Sequence, residues 1–182
     1  MSTIRNVSFE CTCVAYIHRD GAVAAMGHDL VLEFPDCWLE MATDSSFVAR
    51  VRTGSVRVVG VVNGGGEVDV TILSDFDRRA VDRDTKAKVL ESERYPEAVF
   101  RSTAVVRSAS GWRITGNLDL HGTVRTVSFD AERQNGNVVG HLRLHQPDFN
   151  IEPFRAALGL LRLKPDVDVS LAVPLAAGAG LR

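Results

Sequence analysis

The sequence predicts an all-β fold, an antiparallel β-barrel. Three features carry that expectation: apolar and polar residues alternate over most of the chain, hairpin-type turns separate the alternating runs, and one segment has helical spacing. Alternation with period two places one side of each strand in a core and the other in water.

The first run puts Val7, Phe9, Cys11, Cys13, Ala15 and Ile17 on one parity and Ser8, Glu10 and Thr12 on the other. Asp20-Gly21 supplies a hairpin turn, and the return strand carries Ala24, Met26, His28, Leu30, Leu32 and Phe34 on its apolar parity. Shorter strands are predicted over 38–42, 47–53 and 56–61, and Asn63-Gly64-Gly65-Gly66 then turns the chain into a run with Val68, Val70 and Ile72. Short connections favour antiparallel neighbours.

The pattern changes at Ser74-Asp75-Phe76-Asp77, where Ser74 can cap a helix and Asp77 stands three residues on. Phe76, Ala80, Ala87 and Leu90 fall near the spacing of one helical face, with Arg78, Arg79, Asp82, Arg83, Lys86 and Lys88 mostly left to water. Tyr95-Pro96 marks the end, because the residue before proline is pushed out of the helical region.

Alternation resumes with Phe100, Ser102, Ala104 and Val106, then Trp112, Ile114, Gly116, Leu118 and Leu120, then Val127, Phe129 and Ala131. Gln134-Asn135-Gly136-Asn137 signals a hairpin leading to Gly140, Leu142 and Leu144. The stretch 147–165 breaks the pattern. Its segment 153–161 is apolar and compatible with a short helix or a hydrophobic lid, and Val167, Val169, Leu171 and Val173 form the last strand. A closed or nearly closed barrel buries these faces without long free edges, with the helix capping or flanking it. The 182 residues fit one domain, 1–176, followed by a tail, 177–182.

Basic and acidic residues number 21 and 23 and are interspersed, so there is no basic stripe for nucleic acid. No stretch approaches the roughly 18 apolar residues of a membrane span, and the first residues lack a basic run followed by an apolar one. The expected compartment is the cytoplasm. Cys11, Cys13 and Cys37 read as small buried hydrophobes, because alternate-residue spacing does not suit zinc and reduced thiols are normal in a cytosol. No metal or cofactor is expected.

Among the histidines, His121 sits beside Gly122 at a turn and is expected to bond backbone, while His141 and His145 fall on the polar parity. His28 lies on the apolar parity between Met26 and Leu30, either as a satisfied core residue or as an anchor for a polar ligand head. No nucleophile elbow or phosphate-binding glycine pattern is present, and Asp29 and Asp119 lie on outward parity. A non-catalytic protein is expected.

Three stretches then carry a resemblance: Leu90-Glu91-Ser92-Glu93-Arg94-Tyr95-Pro96-Glu97-Ala98-Val99-Phe100-Arg101-Ser102-Thr103, Gly116-Asn117-Leu118-Asp119-Leu120-His121-Gly122-Thr123-Val124-Arg125-Thr126-Val127, and Asp148-Phe149-Asn150-Ile151. With Gly27-His28-Asp29-Leu30, they resemble, in order, the YceI-like domain family of lipocalin-like barrels. The resemblance implies an elongated barrel holding a polyisoprenoid, isoprenoid quinone or fatty amphiphile, often as a dimer, and no known reaction.

Small residues on inward parity, among them Cys13, Ala15, Ala104, Gly116, Ala131 and Gly140, leave room for such a ligand. Its tail is expected among Phe9, Phe34, Phe100, Leu118 and Phe129, its head near His28. Phe149, Phe154 and Leu158 would lie beside the opening, since they are too apolar for an ordinary surface loop. The alternative is a fully packed barrel serving a protein partner.

Overall fold

A computed structural model of the chain describes residues 7–20, 29–42, 45–62, 67–156 and 161–174. Its long strands form a ring of staves. The first stave is β1 (Val7–Glu10) continued by β2 (Thr12–Asp20), and the second is β3 (Asp29–Phe34) continued by β4 (Cys37–Met41). The third is β5 (Phe47–Arg52) continued by β6 (Arg57–Val62), and the short β7 (Val68–Asp69) pairs with β6. After the helix come β8 (Glu97–Arg107), β9 (Gly111–Leu120), β10 (Thr123–Gln134) and β11 (Asn137–His145). The short β12 (Arg155–Ala156) and the long β13 (Leu161–Pro174) complete the set.

Every pairing is antiparallel, and the sheet runs from β1 through β4, β5, β8, β9, β10, β11 and β13 back to β2. Because β1 runs on into β2 through Cys11, this path curls back to the stave on which it began. The ring is incomplete between β6 and β8. Helix α1 (Asp75–Asp84) lies against β6 there.

The helix begins as expected. Ser74 caps it, its Oγ accepting the Asp77 backbone N–H at 3.2 Å. It continues into a π-helical turn over Thr85–Val89 and is finished well before Tyr95, with Glu91 at φ 43°. The face it buries is only partly the expected one: Leu90 packs inward as expected, but Phe76 is 75% exposed and Ala87 is also exposed. Leu73 and Val81 join Leu90 on Ala15, Leu32, Val56, Val58 and Val167. The polar side chains explain the rotation. Asp82 accepts the Val58 N–H and the Arg78 guanidinium donates to the Val59 carbonyl, so Asp82 and Arg78 must face the open edge of β6.

A second correction concerns β8. Its register with β9 slips between Ser102, opposite Gly116, and Ala104, opposite Thr115. This bulge turns Val105 inward onto the core and leaves Ala104 and Val106 exposed, against the alternation read from the sequence. The run expected to hold Val68, Val70 and Ile72 in a core face contributes only the two paired residues of β7, and all three side chains are exposed.

Both later hairpins turn through paired positive φ angles, His121 and Gly122 at 52° and 72°, Asn135 and Gly136 at 47° and 78°. Those angles match the strand twist. After β11 the helical turn of the irregular stretch is a 3-10 turn, Gln146–Phe149. The apolar segment beyond it pairs Arg155 with Arg162 and Ala156 with Leu161 as strands, and its residues 157–160 lie outside the described residues. Among the described residues no helix is long and apolar enough to cross a membrane.

Candidate ligand cavity

Inward parity on the staves converges on an internal cavity of about 190 Å³. Cys13, Ala15 and Ile17 of β2 line it, with Leu32 and Phe34 of β3 and Phe100 of β8. Leu118 and Leu120 of β9, Leu142 and Leu144 of β11, and Val167 and Val169 of β13 complete much of the wall. Thr85, Val89 and Leu90 of the helical segment close the gap between β6 and β8. A smaller void of about 30 Å³ lies beyond it, among Leu39, Met41, Phe47, Ile114 and Val138. Phe129, Gly140 and Leu171 border both.

The partition between the two spaces is aromatic. Phe100 meets Phe129 edge-on at 5.4 Å between ring centres and Phe47 at 5.7 Å. Two glycines make room for these rings: a Cβ at Gly116 would lie 2.4 Å from Phe100 Cζ, and one at Gly140 2.7 Å from Phe129 Cε2. The space at Gly116 is therefore occupied by Phe100, and Ala104 points out; Cys13, Ala15 and Gly140 border the larger cavity, and Ala131 the smaller. Below, Trp112 is 2% exposed, with the guanidinium groups of Arg107 and Arg133 5.5 and 5.6 Å from its ring centre.

Among the described residues no charged side chain lines the larger cavity, and the polar side chains there are Thr53, Thr85 and Gln146. Thr53 Oγ1 donates to the Tyr95 carbonyl at 2.7 Å, and Gln146 Nε2 donates to the carbonyls of Lys164 and Pro165 at 3.1 and 3.4 Å. The Cys13 thiol is pushed up to about 12 by burial and by nearby Cys11, so it stays neutral and unreactive. Cys37 is likewise raised, by a hydrogen bond with Cys11 and by burial. All three cysteines are free and buried.

Of the residues expected to touch a ligand, Phe34, Phe100, Leu118 and Phe129 line the cavity. Phe9 packs against the core outside the lining, Phe149 is buried in that core, and Phe154 is half-buried outside the lining. His28 and Leu158 lie outside the described residues. Sequence reasoning placed Leu90 on the helix's apolar face but not at a cavity, and passed over Thr85 and Val89 of the π-turn and Gln146, which follows the last alternating residue of β11.

The histidines sit elsewhere. His121, with its side chain 8% exposed, packs on the Tyr95 ring at 4.2 Å and places Nε2 3.3 Å from Glu91 Oε1. Neither ring nitrogen completes a hydrogen bond, so the expected bond to hairpin backbone is not made. His145 pairs with Asp166 at 2.7 Å. His18, which the parity reading left unremarked, joins Asp29 through Nδ1 at 2.6 Å and Asp168 through Nε2 at 2.9 Å. Among the described residues no group of three or more His, Cys, Asp or Glu side chains could hold a metal ion.

Relatives of known sequence share parts of this chain. A UPF0312 protein of Photorhabdus laumondii is 30% identical over 121 residues, 58% of this chain and 60% of that protein. One from Pectobacterium atrosepticum is 36% identical over 70 residues, 36% of each. The chain thus matches about 60% or less of the length of these relatives. Among solved structures, BcnA of Burkholderia cenocepacia superposes with a TM-score of 0.61 at 14% identity, covering 90% of this chain and 94% of that one. A polyisoprenoid-binding domain from Saccharophagus degradans, implicated in plant cell wall breakdown, superposes with 0.58 at 13%, covering 93% and 97%. Both likenesses are of fold. Residues 31–175 match the sequence profile of the YceI-like domain, and the chain belongs to that family.

Proposed function

We propose that the protein binds an apolar, lipid-like ligand inside its barrel and does so without chemistry, as a store, carrier or protective sleeve. The single observation behind this reading is a cavity of about 190 Å³ whose wall, among the described residues, carries no charge and only three polar side chains. Cavities of about 150 Å³ lined by aliphatic and aromatic groups stay dry and take up benzene. The description of the Saccharophagus degradans domain as polyisoprenoid-binding agrees with it. The space is below the roughly 300 to 1,000 Å³ of drug-sized pockets, so a long-chain ligand extends beyond it. Phe129 stands at one limit and the Leu120, Leu144 and Gln146 end at the other.

Solvent extraction of the purified protein followed by mass spectrometry tests the reading. Recovery of a stoichiometric, chemically unaltered lipid supports it, and a protein that yields none and takes up no neutral apolar probe overturns it. A second reading, a packed module serving a protein partner or a second copy, is favoured by the exposed ridge of Val68, Val70, Ile72 and Phe76. Native mass spectrometry of the same sample separates the two, because the module would carry a protein partner and an empty barrel.

A further inference from the structure

We propose that the cavity selects a neutral amphiphile whose head donates a hydrogen bond, an alcohol in its simplest form, and that Gln146 Oε1 accepts it; this rests on the binding function above. Gln146 follows β11 directly and stands beside the bulge where β13 slips against β2 between Leu163 and Val167. Its residue is buried and reaches the cavity wall. The orientation of its amide is fixed chemically. Two backbone carbonyls, of Lys164 and Pro165, sit 3.1 and 3.4 Å from Nε2, and exchanging the amide atoms would set oxygen against oxygen.

Oε1 is therefore the atom left over, and no described residue donates to it. Oε1 is not fully enclosed, so water can reach it; a ligand hydroxyl that displaces this water replaces its hydrogen bond, and an ether does not. The other two polar side chains discriminate less. Thr53 has given its proton to the Tyr95 carbonyl, and the Thr85 hydroxyl can turn to donate or to accept. With no Lys, Arg or His among the described residues of the wall, a carboxylate or phosphate head would lose its water and meet no cation there. Ethers and ketones bring only acceptors to Gln146.

The test is displacement of the neutral fluorophore N-phenylnaphthylamine from the full chain by decanol, methyl decyl ether and decanoate. Decanol should bind about 3- to 10-fold more tightly than the ether, the ratio of one buried hydrogen bond, and decanoate most weakly. Gln146→Leu should bring decanol down to the ether and leave the ether unchanged. Gln146→Lys keeps donation to both carbonyls but has no acceptor, so it should lose the alcohol preference and favour decanoate; it also serves if the leucine variant fails to fold. Equal binding of alcohol and ether by the native protein, or a preference for decanoate, overturns the proposal and leaves lipid binding standing. Failure of the fluorophore itself to bind overturns both.

Discussion

The Asp82 carboxylate accepts the backbone N–H of Val58 at 2.6 Å, joining helix α1 to the edge of β6 that β7 leaves unpaired. Arg78 completes the join from the next turn of the helix by donating to the Val59 carbonyl at 3.0 Å. An edge strand's unpaired groups are thus satisfied by side chains. The same helical segment then presents Thr85, Val89 and Leu90 to the cavity, so the join also holds the cavity's fourth wall in place. Asp82→Ala removes a charge-assisted bond and should lower the unfolding free energy by about 1.5 to 3 kcal/mol. Asp82→Asn, which still accepts, should lose less than half of that. Urea denaturation measures both, and equal stability of Asp82→Ala and the native chain would show that the helix is held by its apolar contacts alone.

This join also shows why part of the fold was not legible in the sequence. Period-two alternation located the barrel strands because each has one wet face, and Trp112, Ile114, Leu118 and Val173 fall inward as read. Reading the helix by apolarity chose Phe76 and Ala87, since nothing local reveals that a polar pair must turn toward a free sheet edge. The bulge between Ser102 and Ala104 is equally silent, because it resides in the pairing of β8 with β9 and not in either strand's composition. At the site, Phe34, Phe100, Leu118 and Phe129 followed from parity. Gln146 did not, because it lies one residue beyond the last strand position where parity applies.

His18 bridges two carboxylates across β2, one on β3 and one on β13, and a neutral imidazole has only one N–H to donate. The hydrogen bond to Asp29 raises the His18 pKa above its ordinary value, with Asp168 adding to it against partial burial. Burial opposes ionisation of Asp29, but His18 and the Arg19 N–H hold its pKa below the usual range. Arg143 first, then His18, does the same for Asp168. A raised histidine contributes stability in full below its unfolded pKa, and that contribution is lost as pH rises through the folded value. The lowered aspartates contribute above their unfolded pKa and lose it as pH falls through their folded values. Stability should therefore be greatest between the aspartate range and the histidine's ordinary pKa. The groups are about one-third exposed, so the step on the alkaline side is modest, about 0.5 to 1 kcal/mol. Melting temperature against pH should show that step in the native chain and not in His18→Gln; identical profiles would remove the clasp.

Two glycines on the inner wall should differ sharply. A methyl at Gly116 would lie 2.3 Å from the Arg101 carbonyl oxygen as well as against Phe100, and the carbonyl belongs to a paired strand that cannot retreat. At Gly140 the only close neighbour is the Phe129 ring. Gly116→Ala should destabilise by about 3 kcal/mol, the upper part of the overpacking range, and Gly140→Ala by about 1 kcal/mol. The second variant should instead push Phe129 into the cavity and weaken uptake of a neutral apolar probe. Chemical denaturation and probe titration on both variants check this, and a reversed order of stability would contradict the assignment of backbone as the harder neighbour.

Phe129 borders both internal spaces, so its ring decides whether the barrel holds one continuous channel or two chambers. Removing it in Phe129→Ala should join the cavity of about 190 Å³ to the void of about 30 Å³ and add the volume of the ring itself. The cost in stability should be about 3 kcal/mol, the low end for such a truncation, because two sides of the ring already face empty space. If ligand tails run from the Gln146 end toward Phe129, affinity in a series of straight-chain alcohols should rise with length and level off in the native protein. The variant should continue to gain for several further methylenes, at about 0.8 kcal/mol each where they are buried. Phe100→Ala offers the control. It removes a ring that lines the larger cavity but does not border the smaller void, so it should widen the cavity and move the length at which affinity levels off less than Phe129→Ala does. A plateau at the same chain length in the native chain and in Phe129→Ala would mean that the tail never reaches this ring and lies wholly in the upper part of the barrel.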